Sequence, residues 1–185
     1  MSMSATTFFT ANQVRALPDD GNRYETVHGE LLVTPAPGGP HQFILMRLIL
    51  KLGNYLAAHG IEELLASPAD ISWSDDTLVQ PDLFIAELGT YRRTLRWGDI
   101  RTLHLAIEIV SPSSSRADRF TKRRLYQEQR IRDYWIVDAV QEQVECWTPD
   151  ALRPVIERER LVWRHPALMA ECLVDVPALF SGIGH

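Results

Sequence analysis

The chain has 185 residues, of which 45% are hydrophobic. This length suits one compact domain and is short for two, so we expect a single domain over residues 1–185, with a loose segment at 1–10. No run approaches the ~20 apolar residues that span a bilayer, and no signal-peptide pattern opens the chain, which excludes a membrane span and favours a cytoplasmic protein. Cys146 and Cys172 stand apart without CxxC spacing, which predicts two reduced packing residues.

The charge is distributed unevenly along the chain. The formal net charge of −5 would argue against a polyanionic partner if it were evenly spread. Residues 92–132, however, hold ten arginines and one lysine against four acids, a sum of 11 − 4 = +7, which leaves 8 − 20 = −12 elsewhere. A solvated arginine-rich helix surface would give the same count. Because this basic stretch coincides with the candidate site described below, we interpret it as a phosphate-binding face.

The first quarter of the chain predicts a short helix, a hairpin and a long helix. Thr10 is placed to cap a helix that ends near Leu17. Residues 23–34 are typical of a hairpin with a His28-Gly29 turn, because glycine supplies the positive φ of tight hairpins. Pro40 suits the first turn of a helix that continues to about residue 58. Its apolar residues recur at spacings of three and four, as on a broad buried face: Ile44, Leu45, Leu48, Ile49, Leu52, Tyr55 and Leu56.

After Gly60 the helical period gives way to short strands and one further helix. The predicted strands are 62–67, 71–74, 83–86, 103–110, 134–138, 144–147, 154–158 and 161–163. Hydroxyl residues at 111–115 can cap the helix that we predict over 116–130. A polar, proline-bearing tail closes the chain. This order predicts an α/β fold, with a mixed sheet flanked by helices and an N-terminal β-hairpin.

Two acidic residues lie inside apolar, strand-like runs. Asp82 follows Pro81 and precedes Leu-Phe-Ile-Ala, and Glu108 lies within Leu-Ala-Ile-Glu-Ile-Val. Burial of an unpaired carboxylate costs several kcal/mol, so we expect a cation beside both. Mg²⁺ needs only one or two carboxylates, and Asp82, Glu108 and the backbone carbonyl of Ile109 would suffice if their strands are neighbours. The alternatives are a strand-start role for Asp82 and an ion pair with an arginine for Glu108.

Lys122 is one of two lysines in a chain with 17 arginines, which indicates that an ammonium is required there. An ammonium is compact and can contact both a scissile phosphate and an attacking water. Asp118, Lys122 and Tyr126 are spaced four apart, so they share one helix face, which would point towards Glu108 if the helix folds back on its strand. The alternative is an Asp118–Lys122 surface pair worth about 0.2–0.5 kcal/mol.

Two further residues are accessory candidates. Glu25 lies in the hairpin and His41 in the first turn of the long helix, and either would serve as an extra ligand or as a partner of the site residues. A histidine near a helix start is also often only a cap. The remaining histidines show no ligand spacing and receive no role: His28, His59, His104, His165 and His185.

At these residues the chain resembles the Uma-two family of restriction endonucleases, a branch of the PD-(D/E)XK nuclease superfamily. The matching stretches are 24–31, 35–41, 81–86, 107–126 and 134–138. The resemblance implies a restriction-endonuclease-like α/β core, divalent-metal binding by Asp82 and Glu108, and a lysine function. The superfamily pattern expects its lysine two places after the glutamate, where Val110 stands here, so the resemblance implies that Lys122 replaces it.

The leading hypothesis is a Mg²⁺-dependent DNA endonuclease, with Mn²⁺ able to substitute, in which Asp82 and Glu108 hold metal and Lys122 orients or deprotonates water. The alternatives are a non-catalytic nucleic-acid- or protein-binding module on the same fold and an enzyme acting on another phosphate ester. We expect DNA and no membrane as partner. A homodimer would suit cleavage of both strands, because the duplex backbone is itself two-fold related.

Overall fold

The computed structural model describes residues 7–89 and 95–183, and its elements follow in chain order. The strands are β1 (Asn22–Val27), β2 (Glu30–Pro35), β3 (Leu64–Ala66), β4 (Ile71–Ser74), β5 (Thr77–Val79), β6 (Leu83–Ala86), β7 (Leu103–Val110), β8 (Asp133–Asp138), β9 (Gln143–Trp147), β10 (Val155–Glu157), β11 (Arg160–Trp163) and β12 (Cys172–Asp175). The α-helices are α1 (Ala11–Arg15), α2 (Gly39–Ala57), α3 (Arg123–Glu128) and α4 (Val176–Phe180). A 3₁₀ turn at Trp97–Asp99 and a π-helical segment at Ala117–Lys122 complete the described elements.

The strands form one large sheet and two small ones. The six-stranded sheet has the order β10-β9-β8-β7-β6-β3 and is mixed, because β7 and β8 run parallel while their outer neighbours run antiparallel. The four-stranded sheet has the order β2-β1-β5-β4, and β11 pairs with β12. The predicted α/β class with a mixed sheet is therefore confirmed, and the N-terminal hairpin belongs to the smaller sheet.

Two apolar layers cover the faces of the large sheet. On one face α2 packs with the β11–β12 hairpin and α4, and its four central side chains, Ile44, Leu48, Leu52 and Leu56, are buried. On the other face Phe84, Ala106 and Tyr134 pack against α3 and the smaller sheet. The spacing of the α2 residues thus predicted its buried face, and the alternation along β6 and β7 divides their side chains between the two layers.

The predicted helix cap at Thr10 and the predicted hairpin turn at His28-Gly29 are confirmed. Thr10 accepts a hydrogen bond from the Gln13 backbone N–H, and the Gln13 side chain accepts one from the Thr10 backbone N–H, so the two residues form a capping box. His28 and Gly29 both have positive φ, 50° and 80°, which is the backbone of a tight hairpin turn. Residues 1–6 of the predicted loose segment lie outside the described residues, but the Phe9 N–H donates to the Gly29 carbonyl at 3.0 Å.

Three elements differ from the predictions. The tail after residue 163, expected to be irregular, folds as β12 and α4, whose apolar residues complete the core beside α2. β5 is three residues long and lies where no strand was predicted. The predicted helix 116–130 begins with the π-helical segment and ends at Glu128.

None of the helices in the two described ranges combines the length and apolar character needed to cross a bilayer. Both cysteines are free.

Candidate active site

Strand register brings Asp82 and Glu108 side by side. Leu83 of β6 pairs antiparallel with Ile107 of β7, which places Asp82, one residue earlier, opposite Glu108, one residue later. The backbone N–H of Ile109 donates to Asp82 Oδ2 at 2.8 Å, so the Asp82 side chain reaches across to β7. Both carboxylates are buried, at 3% and 2% exposure. The structure thus brings the two predicted acids to one place on the sheet.

Lys122 lies over Glu108 and is as deeply buried. Its Nζ donates to Glu108 Oε1 at 3.0 Å, and the Tyr126 hydroxyl donates to the same oxygen at 3.0 Å. Asp118 Oδ1 is 3.3 Å from Nζ but forms no hydrogen bond with the described groups. The predicted face of Asp118, Lys122 and Tyr126 is therefore confirmed, and with Lys122 only 3% exposed the surface-pair alternative is wrong.

Glu25 enters the same cluster from the smaller sheet. Its Oε2 lies 2.7 Å from Lys122 Nζ, and its Oε1 accepts a hydrogen bond from the Gln80 backbone N–H at 2.7 Å. Lys122 therefore has three carboxylates within 3.3 Å, contributed by β1, β7 and its own helical segment. This ammonium ties the two sheets together at the site.

Asp82 is held by two further side chains. Arg23 Nη1 donates to Asp82 Oδ1 at 2.7 Å and to the Gln80 carbonyl at 3.2 Å. His41 Nε2 lies 2.9 Å from Asp82 Oδ2, so the accessory candidate in the first turn of α2 contacts one of the two predicted acids. The other ring nitrogen of His41 is buried and has no described partner.

The environment shifts the pKa values of the neighbouring carboxyls in opposite directions. Burial raises the pKa of Asp82, but the hydrogen bond from His41 and the charge of Arg23 outweigh it, and the resulting pKa is about 2. Burial raises the pKa of Glu108 well above its ordinary value, and the attraction of Lys122 offsets only part of this rise. Burial also raises the pKa of Asp118. In the protein alone, Asp82 is therefore ionised while Glu108 and Asp118 are poorly charge-compensated.

The cluster carries more acids than cations. Four buried carboxylates meet here, Glu25, Asp82, Glu108 and Asp118, and among the residues that the structure describes two permanently charged cations, Arg23 and Lys122, accompany them. With all acids ionised and the His41 imidazole neutral, the sum is 2 − 4 = −2. The same residues line a cavity of about 140 Å³, which Ser111, Ser113 and Ser114 also border. An all-oxygen donor set with a deficit of two charges fits a hard divalent cation.

The spacing of the carboxylates limits how such a cation would be held. In the described part of the chain, only one group of three His, Asp or Glu side chains has its ligand atoms all within 4.8 Å of one another, and that group, Glu63, His104 and His165, lies outside this cavity. Lys122 and Arg23 hold the four carboxylates apart. A cation in the cavity would therefore use one or two carboxylates and retain several waters, as Mg²⁺ does.

Much of the arginine-rich stretch is charge-paired. Arg92 and Arg93 lie outside the described residues. Arg119 pairs with Asp138 and Glu145 of β8 and β9, at 2.5 and 2.7 Å. Further arginines pair with single acids: Arg124 with Glu128, Arg130 with Asp150, and Arg132 with Asp133. The fold therefore neutralises part of the local excess counted in the sequence.

Among the charged residues described as lining the cavity, Arg23 is the one that the sequence analysis did not select. It shares a strand face with Glu25, two residues later, and strand alternation could have pointed to it. The roles of the selected residues stay predictions, and the Ile109 carbonyl in particular has no described contact with a cation. What the geometry establishes is that Asp82, Glu108 and Lys122 line one cavity.

The mixed sheet with these acids at the junction of β6 and β7 is the restriction-endonuclease-like α/β fold. A family model described as Uma2, "Putative restriction endonuclease", matches residues 11–172, and the chain belongs to this family. A solved structure titled as a putative nuclease belonging to DUF820 from Anabaena variabilis is similar in fold, with a TM-score of 0.73 and 18% identity over 94% of this chain and 98% of that chain. No curated protein matches the chain.

Proposed function

We propose that the protein is a divalent-metal-dependent DNA endonuclease that hydrolyses phosphodiester bonds. The observation that carries the proposal is the crowding of four buried carboxylates with two described cations beside a cavity, a formal deficit of two charges when all four acids are ionised. Such a deficit is costly in a protein interior unless a cation compensates it. Membership of a family described as restriction endonucleases supports the same reaction class.

Asp82 and Glu108 are the proposed metal ligands, with the Ile109 carbonyl as a third. When bound, a divalent cation such as Mg²⁺ or Mn²⁺ lowers the pKa of an attacking water and neutralises charge on the phosphate. Arg23 and His41 fix the position of Asp82, and Tyr126 fixes that of Glu108.

Lys122 acts in this proposal as a fixed positive charge. Burial alone would lower the pKa of Lys122, but the attraction of Glu108, Glu25 and Asp118 outweighs burial and raises the pKa well above its ordinary value. An ammonium that stays protonated cannot accept the proton of the attacking water. Of the two roles predicted for Lys122, orienting water or a phosphate oxygen is therefore favoured over deprotonating water.

DNA is the proposed substrate, and its phosphates would enter beside Ser111, Ser113 and Ser114. Their hydroxyls border the cavity and can donate to phosphate oxygens. Arg23 lines the same cavity and carries a guanidinium, whose planar fork suits phosphate. Because many arginines are already paired with acids, we expect these few contacts to contribute more to binding than the net charge of the stretch 92–132.

The test is plasmid nicking by the full chain in Mg²⁺ and in Mn²⁺, compared with EDTA. Asp82→Asn, Glu108→Gln and Lys122→Met should each abolish nicking, whereas Lys51→Met, the matched change at the only other lysine, should not. Lys51 is exposed on α2 and lies outside the cavity. No nicking by the wild type, or undiminished nicking by the Asp82 variant, would refute the proposal.

The alternative functions give other results in the same assay. A non-catalytic binding module would retard DNA in a gel, with a steep weakening by salt, but would not break it in either metal. An enzyme for another phosphate ester would hydrolyse a small phosphodiester without DNA affinity.

A further inference from the structure

Three metal-ligating side chains meet at a second place in the fold. Glu63 immediately precedes β3, His104 is the second residue of β7, and His165 follows β11. His165 Nε2 lies 3.1 Å from Glu63 Oε2, and His104 Nε2 lies 3.9 Å from the same oxygen. All three ligand atoms lie within 4.8 Å of one another, and the two imidazole rings meet edge to face at 5.1 Å.

This cluster is separate from the acidic cavity. His104 and Glu108 are four residues apart on β7, which corresponds to about 13 Å along a strand. The three residues also come from segments that do not line the cavity, and they differ in chemistry, since two are imidazoles and one is a carboxylate. An ion bound by these three side chains would therefore be of a different class from the hard cation proposed at Asp82 and Glu108.

The donor set suits a borderline transition-metal ion. Two imidazoles and one carboxylate are a common three-ligand set for Zn²⁺, with a fourth position open to water. The side chain of His165 is 4% exposed, while those of Glu63 and His104 are 19% and 18% exposed, so the cluster is partly buried with an open side.

We propose that Glu63, His104 and His165 bind a Zn²⁺-class ion, which ties the β11–β12 hairpin to the edge of the large sheet. The ion would join three segments that share, among the described contacts here, the His165–Glu63 hydrogen bond and the His104–His165 ring contact. Its role is structural, and the proposal does not depend on nuclease activity.

The tautomer of His165 supplies a signature of metal binding. Its Nδ1 accepts a hydrogen bond from the Ala167 backbone N–H at 3.2 Å, so the neutral ring carries its proton on Nε2, facing Glu63. A metal ion on Nε2 moves that proton to Nδ1, and the bond from Ala167 is then lost. Amide exchange at Ala167 should therefore become faster when the ion binds, although the rest of the hairpin becomes more stable.

The test is a Zn²⁺ titration of the full chain in excess Mg²⁺, which occupies hard-cation sites, followed by calorimetry. Co²⁺ in place of Zn²⁺ should give the visible absorption of a tetrahedral site. We expect one Zn²⁺ per chain and a rise in the unfolding temperature. Loss of an outer-shell partner weakens metal sites about 10- to 100-fold, and His104→Gln or Glu63→Gln should weaken Zn²⁺ binding at least as much.

The matched control is His28→Asn, which removes a histidine paired with one carboxylate, Glu128, at 2.7 Å. This variant should bind Zn²⁺ as the wild type does. Without metal, the circular dichroism spectrum of His104→Gln should equal that of the wild type. Weaker Zn²⁺ binding by this variant can then be distinguished from loss of folding. Equal Zn²⁺ affinity of the wild type and His104→Gln, or no tetrahedral Co²⁺ absorption, would overturn the proposal and leave an ordinary Glu63–His165 hydrogen bond.

Discussion

Replacement of Lys122 by Met should destabilise the protein strongly, because the ammonium is the shared counter-ion of three buried carboxylates. Its Nζ lies 2.7, 3.0 and 3.3 Å from oxygens of Glu25, Glu108 and Asp118. Met has a similar length and no branch, so the change removes the charge and retains most of the packing. Any loss of stability then reports on electrostatics.

The expected loss follows from the burial of these groups. Removal of one partner of a buried ion pair costs about 3–5 kcal/mol, because the remaining charge is left without compensation. For a chain of this length the unfolding temperature falls by about 2–4 °C per kcal/mol, so a decrease of about 6–20 °C is expected near neutral pH. Lys51→Met, on the exposed side of α2, should change stability by no more than about 0.5 kcal/mol.

The loss should also depend on pH, with a definite sign. Burial raises the pKa values of Glu108 and Asp118 in the folded protein, so their protonated forms are favoured there. A group with a raised folded pKa contributes stability below its unfolded pKa and loses that contribution as the pH rises through the folded pKa. Without Lys122 both pKa values rise further. The stability of the variant should therefore fall more steeply with increasing pH than that of the wild type.

Urea unfolding followed by tryptophan fluorescence, at several pH values from about 5 to 8, measures both effects. The reasoning is refuted if Lys122→Met costs no more than Lys51→Met at neutral pH. It is also refuted if the difference between the variant and the wild type is the same at every pH, since the buried carboxylates would then not be the groups left uncompensated.

Three further changes test other parts of the fold. Burial raises the pKa of Asp133, although the Trp163 indole N–H donates to its carboxylate, so ionisation of Asp133 destabilises the folded protein. In urea unfolding at neutral pH, Asp133→Asn should raise the free energy of unfolding by up to about 1 kcal/mol. A lower free energy of unfolding would contradict this. Arg119→Met leaves two carboxylates of β8 and β9 without their cation and should lower the free energy of unfolding by about 2–3 kcal/mol. Arg124→Met on the surface should lower it by less than about 0.5 kcal/mol. Equal decreases in unfolding temperature for the two variants would contradict this prediction. Gly29→Ala places a side chain at φ +80° and should cost about 1–2 kcal/mol by calorimetry, while an unchanged unfolding temperature would show that the turn can relax.

The sequence predicted the elements whose signals are local and long. The 19-residue α2 helix repeats its apolar spacing from Ile44 to Leu56, and the first hairpin carries its turn chemistry in His28-Gly29. The meeting of Asp82 with Glu108 was predicted only conditionally, since it required their strands to be neighbours. The register of β6 on β7 fulfils that condition, and no feature of either strand alone determines it.

The remaining features depend on contacts between distant segments. The tail folds as β12 and α4 because β11 and α2 cover its apolar residues, and three-residue β5 is held by pairing with β1 and β4. The grouping of Glu63, His104 and His165 has no sequence spacing at all, because each comes from a different segment. Spacing rules detect ligands on one helix or turn and miss sets that only tertiary folding assembles.

The bridge from Lys122 to Glu25 has a kinetic consequence. The two residues are 122 − 25 = 97 positions apart, and their contact joins the π-helical segment to β1 of the smaller sheet. Contacts of such long range form late and slow the folding of a domain, because a large loop must close before they contribute. We therefore expect refolding chains to carry secondary structure before the cavity that Glu25 and Lys122 line has formed.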